Sequence, residues 1–181
     1  MVLSRGNGMQ RVVFISLATL LTVSGGHAAD IGREPAGGDI EVITVTGVLN
    51  EGDEDTFRKI AANSGQAVVV LNSEGGLVKT GIEIGRAIRL RGFATAVPPR
   101  TLCASACALT WLAGSPRYLD DTSKLGFHAA YSVVDGKASE SGVGNALVGA
   151  YLNQIGLRDC HRLCHVGPSR GYRVAFSLQV V

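Results

Sequence analysis

Ala67 to Leu71 is an unbroken apolar run rich in valine, and it stops at Asn72-Ser73-Glu74-Gly75-Gly76. A short apolar run bounded by turn residues is the pattern of a strand covered on both faces in a parallel sheet. From Leu77 to Arg91 the period changes. Leu77, Gly81, Ile84 and Ile88 fall on one helical face, with Lys79, Glu83, Arg86 and Arg89 mostly on the other. Gly92 is a good C-terminal stop for that helix. A buried strand leading directly into an amphipathic helix is half of a βαβ unit, which directs the chain toward an α/β fold.

The segments on either side agree. Ile40 to Thr46 alternates Ile40, Val42, Ile43 and Val45 with polar residues and predicts a strand. Asp53 to Asn63 has an acidic first turn, a candidate cap at Asp53, and Phe57, Ile60 and Ala61 at helical spacing. Phe93 to Val97 predicts a strand ended by Pro98-Pro99, Ala104 to Ala113 a short buried helix, and Leu125 to His128 another short strand. Ser132 to Gly144 reads as a polar, glycine-rich loop and Asn145 to Ile155 as a helix. Strand and helix alternate throughout, the signature of right-handed βαβ units with a largely parallel sheet.

At 181 residues the chain is the size of one domain, and 46% apolar residues with 18% charged ones argue against disorder. The net charge of +2 comes from Arg5 and Arg11, and without them 15 basic residues balance 15 acidic ones. That balance excludes the basic footprint of a nucleic-acid binder. Residues 1–28 read as a secretory signal peptide: Arg5 and Arg11 flank the apolar run Val12 to Val23, and Gly26-His27-Ala28 is a small-x-small cleavage site. The run is shorter than the roughly 20 residues that cross a bilayer, so we expect no stable membrane span after leader removal. Ala29 to Asp39, polar with Gly and Pro, reads as a mobile leader into the domain. Export, to a periplasmic or secreted destination, permits disulfides.

Three segments could carry chemistry. The Gly75-Gly76 pair lets backbone N–H groups face a ligand at the start of a helix, although a tight turn alone would also need such glycines. Cys103-Ala104-Ser105-Ala106-Cys107 opens the short buried helix. A serine there is by default a helix cap. Its small neighbours, however, admit close approach of a substrate backbone, and the Ala106 N–H sits beside the hydroxyl as an oxyanion donor. Gly126-Phe127-His128 ends a strand, and an imidazole is the base that a serine hydroxyl needs near neutral pH. A bridge between Cys103 and Cys107 is strained if both lie in a helix and feasible if Cys103 precedes it; two buried free thiols are the alternative.

This order of motifs resembles the Clp protease proteolytic subunit and its crotonase-superfamily relatives: a strand ending in Asn-Ser-x-Gly-Gly, a helix, a strand, Ala-Ser-Ala opening a buried helix, then a Gly-x-His strand end. It is most similar to exported, Clp-like proteins whose serine lies in a Cys-x-Ser-Ala-Cys motif. The resemblance spans about Asp39 to Gly156, and the 23-residue interval from Ser105 to His128 suits the family's nucleophile and base. It implies a Clp/crotonase-like domain at 40–157 of repeated ββα/βαβ units, with helices packed outside the sheet. It further implies Ser105 as nucleophile, His128 as general base, and Gly76 and Ala106 as oxyanion donors. The implied reaction is hydrolysis of a peptide or protein substrate without a cofactor. Trimeric or hexameric homo-oligomers are implied as well. The family's third catalytic acid has no match, since neither Asp135 nor Asp159 sits in a corresponding motif.

Residues 158–181 read as an atypical tail, with four Arg against one acid and no periodicity, and a reading-frame shift near Arg158 would explain it. Cys160-His161 and Cys164-His165 crowd four soft ligands too tightly for an ordinary zinc finger, so we expect no metal there. Two functions compete: an exported serine hydrolase, and a catalytically silent Clp-like scaffold that binds a peptide or partner in the same cleft.

Overall fold

The computed structural model describes residues 28–157. The expected signal peptide, apart from Ala28, and the tail with its Cys/His cluster and Asp159 lie outside the described residues.

The chain begins with β1 (Asp30–Gly37), β2 (Ile40–Thr46), α1 (Asp53–Ala62), β3 (Gln66–Asn72), α2 (Val78–Arg91) and β4 (Ala94–Val97). It continues through β5 (Leu102–Ala104), α3 (Ala106–Leu112), β6 (Arg117–Leu119) and β7 (Lys124–Gly126) to the pair β8 (Tyr131–Val134) and β9 (Lys137–Glu140), and then α4 (Gly142–Gln154). The main sheet has the order β1-β2-β3-β4-β6, parallel except for β1. This is a mixed α/β fold with a largely parallel sheet. Beside it stand a small parallel sheet of β5 and β7 and the antiparallel hairpin of β8 and β9.

Burial explains the layering. Ile43, Val45, Val69, Leu71 and Val97 are buried and share a core with Phe57 of α1, Ile84 and Ile88 of α2 and Trp111 of α3. Val42, Val68 and Val70, on the opposite face of the strands, are only half-buried. The β3 valines are thus covered fully on one face and partly on the other, rather than equally on both.

Three segments depart from the sequence reading. The 29–39 leader is not a mobile lead-in along its length: Asp30–Gly37 forms β1, paired antiparallel with β2 from Asp30↔Thr46 to Gly37↔Ile40. Pro35 is tolerated because β1 is an edge strand, and the register shifts between Pro35 and Gly37 where the proline lacks a donor. The helix expected from Ala104 begins only at Ala106, because Cys103 and Ala104 belong to β5. The loop expected at 132–144 is mostly the β8–β9 hairpin, turned by Asp135 (φ 50) and Gly136 (φ 73). An Asp-Gly pair with both residues at positive φ fits a type I′ turn, whose twist matches that of hairpin strands.

Candidate functional site

Backbone hydrogen bonds assemble the site before any side chain is considered. Ser73 bridges to Cys103 through Ser73 N–H to Leu102 O (2.8 Å) and Ala104 N–H to Ser73 O (3.0 Å). This lays the turn after β3 alongside the Cys103–Ser105 segment. The Ser73 hydroxyl, itself buried, accepts the Gly75 N–H at 3.0 Å and tightens the turn. On the other side Leu49 bridges to Gly76: Leu49 N–H donates to Gly75 O (2.7 Å) and Leu77 N–H to Leu49 O (2.9 Å).

That bridge uses the amides of Leu49 and Leu77 and leaves the Gly76 N–H out. Among the described residues the Gly76 N–H has no backbone acceptor. The Ala106 N–H, in the first position of α3, has none within its helix either. Gly75 lies between these two amides and has a φ of 106°. A side chain at Gly75 would sit 2.6 Å from Ser105 Cβ and 3.0 Å from the Ala106 nitrogen, so only glycine lets the turn lie against the serine.

Ser105 has φ 55 and ψ −124, which a residue with a side chain rarely adopts. It is the N-cap of α3, yet its hydroxyl makes no capping hydrogen bond. The default role of a serine at this position is therefore not the role it has. Cys103 and Cys107, both buried, form a disulfide across it with Cα atoms 5.2 Å apart. Cys103 lies in β5 and Cys107 in α3, so the bridge spans the junction and does not run along a helix.

His128 reaches the same region through the small sheet. Ala104 pairs with Gly126, and Ser105 N–H donates to Gly126 O at 2.8 Å, so Ser105 and His128 both lie just past the ends of adjacent parallel strands. His128 is exposed, and its Nδ1 lies 2.7 Å from the Ala129 carbonyl. A carbonyl only accepts, so Nδ1 is the donor in this contact, and in the neutral ring that tautomer carries its lone pair on Nε2. The His128 ring also meets that of Tyr131, with centroids 5.5 Å apart. Asn145 holds the far side, accepting the Ala130 N–H at 2.8 Å and donating to Glu140 at 2.7 Å.

Among the described residues no hydrogen bond joins Ser105 to His128. A cavity of about 830 Å³ is walled by Leu102, Ala104, Gly126, Phe127, His128 and Tyr131 with parts of the β9 strand; Ser105 is not in its wall. Asp135 sits at the hairpin tip, and no hydrogen bond links it to His128. The sequence reading missed Ser73, the contact of Gly75 with Ser105, and Asn145. Hydrophobic periodicity carries no trace of any of them. Among the described residues no helix is long and apolar enough to cross a membrane, and no group of three His, Cys, Asp or Glu could hold a metal ion.

No protein-family model matches the sequence, and no curated protein does. Solved structures do match. The 1510-N membrane-bound stomatin-specific protease superimposes with a TM-score of 0.51 at 15% identity, over 64% of this chain and 60% of that one. ClpP1 from Listeria monocytogenes gives 0.50 at 17%, over 63% and 68% respectively. The catalytic domain of the ClpP protease from Plasmodium falciparum gives 0.50 at 14%, over 69% and 70%. The chain thus spans 60% of the length of the stomatin-specific protease. What it shares with all three is the Clp protease fold.

Proposed function

We propose that this chain is an exported serine hydrolase acting on peptide bonds, with Ser105 as nucleophile. One observation carries the reading: Ser105 stands at positive φ at the mouth of a helix with its hydroxyl unused as a cap. Strained backbone of this kind persists only where surrounding structure enforces it, and it clusters at catalytic positions.

The residues suggest a complete acyl-transfer sequence. Ser105 Oγ attacks the substrate carbonyl carbon while its proton passes to His128 Nε2, whose ring is oriented by the Nδ1–H donated to Ala129 O. The carbonyl oxygen becomes an oxyanion that accepts the Gly76 and Ala106 N–H groups. The C–N bond then breaks, the departing amine takes the proton from His128, and water hydrolyses the acyl-serine by the same steps in reverse. The Ala129 carbonyl stands where the resemblance would place a carboxylate, and no cofactor is required. Substrate must close the gap between hydroxyl and imidazole, as catalytic hydrogen bonds often tighten only in the complex.

Export to the periplasm or beyond accords with the Cys103–Cys107 disulfide, a bond rare in reducing compartments. We further propose homo-oligomers, on the grounds that Val133 and Val134 of β8 and Val143 and Leu147 of α4 expose apolar side chains. A silent peptide-binding scaffold is the second reading. It is favoured by the cavity wall, which includes His128 but not Ser105.

Labelling of the purified protein by a fluorophosphonate separates the two. Covalent labelling that Ser105→Ala abolishes and His128→Ala slows by about a hundredfold supports the hydrolase. An unlabelled wild type that still melts cooperatively would leave only the scaffold.

A further inference from the structure

Asp53, the first residue of α1, is 4% exposed, and one of its oxygens takes two donors: the Asn50 N–H at 2.7 Å and the Ala29 nitrogen at 3.1 Å. Glu54 beside it is 7% exposed and is held by the Gly52 N–H and the Thr80 hydroxyl. Among the described residues neither carboxylate belongs to an ion pair. Buried carboxylates held by neutral donors alone are costly, and a cation is the usual remedy. Ala29 is also the residue that follows the small-x-small sequence Gly26-His27-Ala28.

We propose that removal of the leader between Ala28 and Ala29 creates that cation: the new α-ammonium of Ala29 pairs with Asp53 and completes the support of the Gly75-Gly76 turn. The inference deepens the export reading above and rests on it. A leader-removing endopeptidase adds one water across the Ala28–Ala29 bond, leaving a carboxylate on the departing leader and an ammonium on Ala29. The nitrogen need not move. It already lies within hydrogen-bond distance of Asp53 Oδ2 as a peptide amide, and cleavage gives it a positive charge and further hydrogens.

The pair reaches the candidate site through few atoms. Asp53 holds the Asn50 N–H, and the Asn50 carbonyl accepts the Thr80 hydroxyl at 3.1 Å. Leu49, next in the chain, is the residue whose backbone brackets Gly75 and Gly76. Processing would therefore firm the segment against which the turn is hung.

The test uses the full chain, expressed with its leader in a bacterium and purified after export, with its first residue read by mass spectrometry. The expected first residue is Ala29. Acetylation near pH 6.5, where the α-amine reacts ahead of lysine, then removes the charge without altering a side chain. Acetylation should lower the melting temperature by about 5 °C in the wild type and by less than about 1 °C in Asp53→Asn. The α-amine should also react about tenfold more slowly in the folded protein than in urea, a comparison that needs no variant.

A first residue of Met1 would overturn the export reading and this inference with it. A first residue of Ala29 combined with equal melting shifts in both proteins, or equal reaction rates folded and unfolded, would overturn this inference alone. Neither readout depends on Ser105 being a nucleophile.

Discussion

Ser105 is fixed by a disulfide across it, a glycine turn pressed on its Cβ and a buried helix behind it, whereas His128 hangs from the end of a three-residue strand, exposed, beside an exposed hairpin. The proposed nucleophile and base therefore inherit their positions from different kinds of structure. The serine side belongs to the core and shares the stability of the fold. The histidine side belongs to the surface, where local opening is cheap. A site divided in this way keeps its most strained residue rigid and leaves adjustment to the exposed imidazole.

Substitutions test the two halves separately. The largest effect is expected from Gly75→Ala, which forces a side chain into Ser105 and onto a φ of 106°; a loss of roughly 3 kcal/mol in urea unfolding, together with lost labelling, would place the turn in the core. Replacing Cys103 and Cys107 together by alanine opens a short covalent loop and should cost about 2 kcal/mol, with slower fluorophosphonate labelling as Ser105 relaxes. Unchanged labelling would mean that the backbone holds the serine without the bridge.

Tyr151→Phe removes the hydrogen bond to Leu109 O in a fully buried place and should cost about 1 kcal/mol. Burial pushes the Tyr151 phenol above its ordinary value of 10.0, despite Arg86 and Arg89. Since the folded state holds this proton more tightly than the unfolded one, the stabilisation is intact below about pH 10 and is lost as pH rises beyond it. Absorbance titration should show Tyr151 ionising only with unfolding. His128→Ala should shift melting least, by less than about 0.5 kcal/mol, because the side chain is exposed. A large loss of stability there would erase the division between the two halves.

The legible parts of this fold are those with enough residues to show a period. Ile40 to Thr46 and Ala67 to Leu71 announce β2 and β3, and the apolar face of Leu77 to Arg91 announces α2, with Gly92 at φ 67 closing it. Strands of three residues, β5, β6 and β7, are too short for alternation to be distinguished from chance, and their pairing is decided by contacts distant in sequence. Asp135-Gly136 was a readable hairpin signal, masked because both strands are only four residues long and β9 is polar. Ser105 and His128 were readable as residue types in order. The positive φ of the serine was not, because no side chain of its size advertises such a backbone. The Ala129 carbonyl at the imidazole was equally hidden, since every residue carries one.

Two of the residues that α2 buries are glycines. At Gly81 its bare backbone meets the Ala106 carbonyl and methyl, and at Gly85 it meets the Tyr151 phenol, leaving no room for a methyl group at either crossing. The spacing between α2 and the helix that begins beside the serine is thus set by main chain touching main chain, a contact with no rotamers to hop. Thermal jostling of side chains elsewhere has little lever at that seam, so the Ser105 hydroxyl would keep its address even while the surface around it breathes.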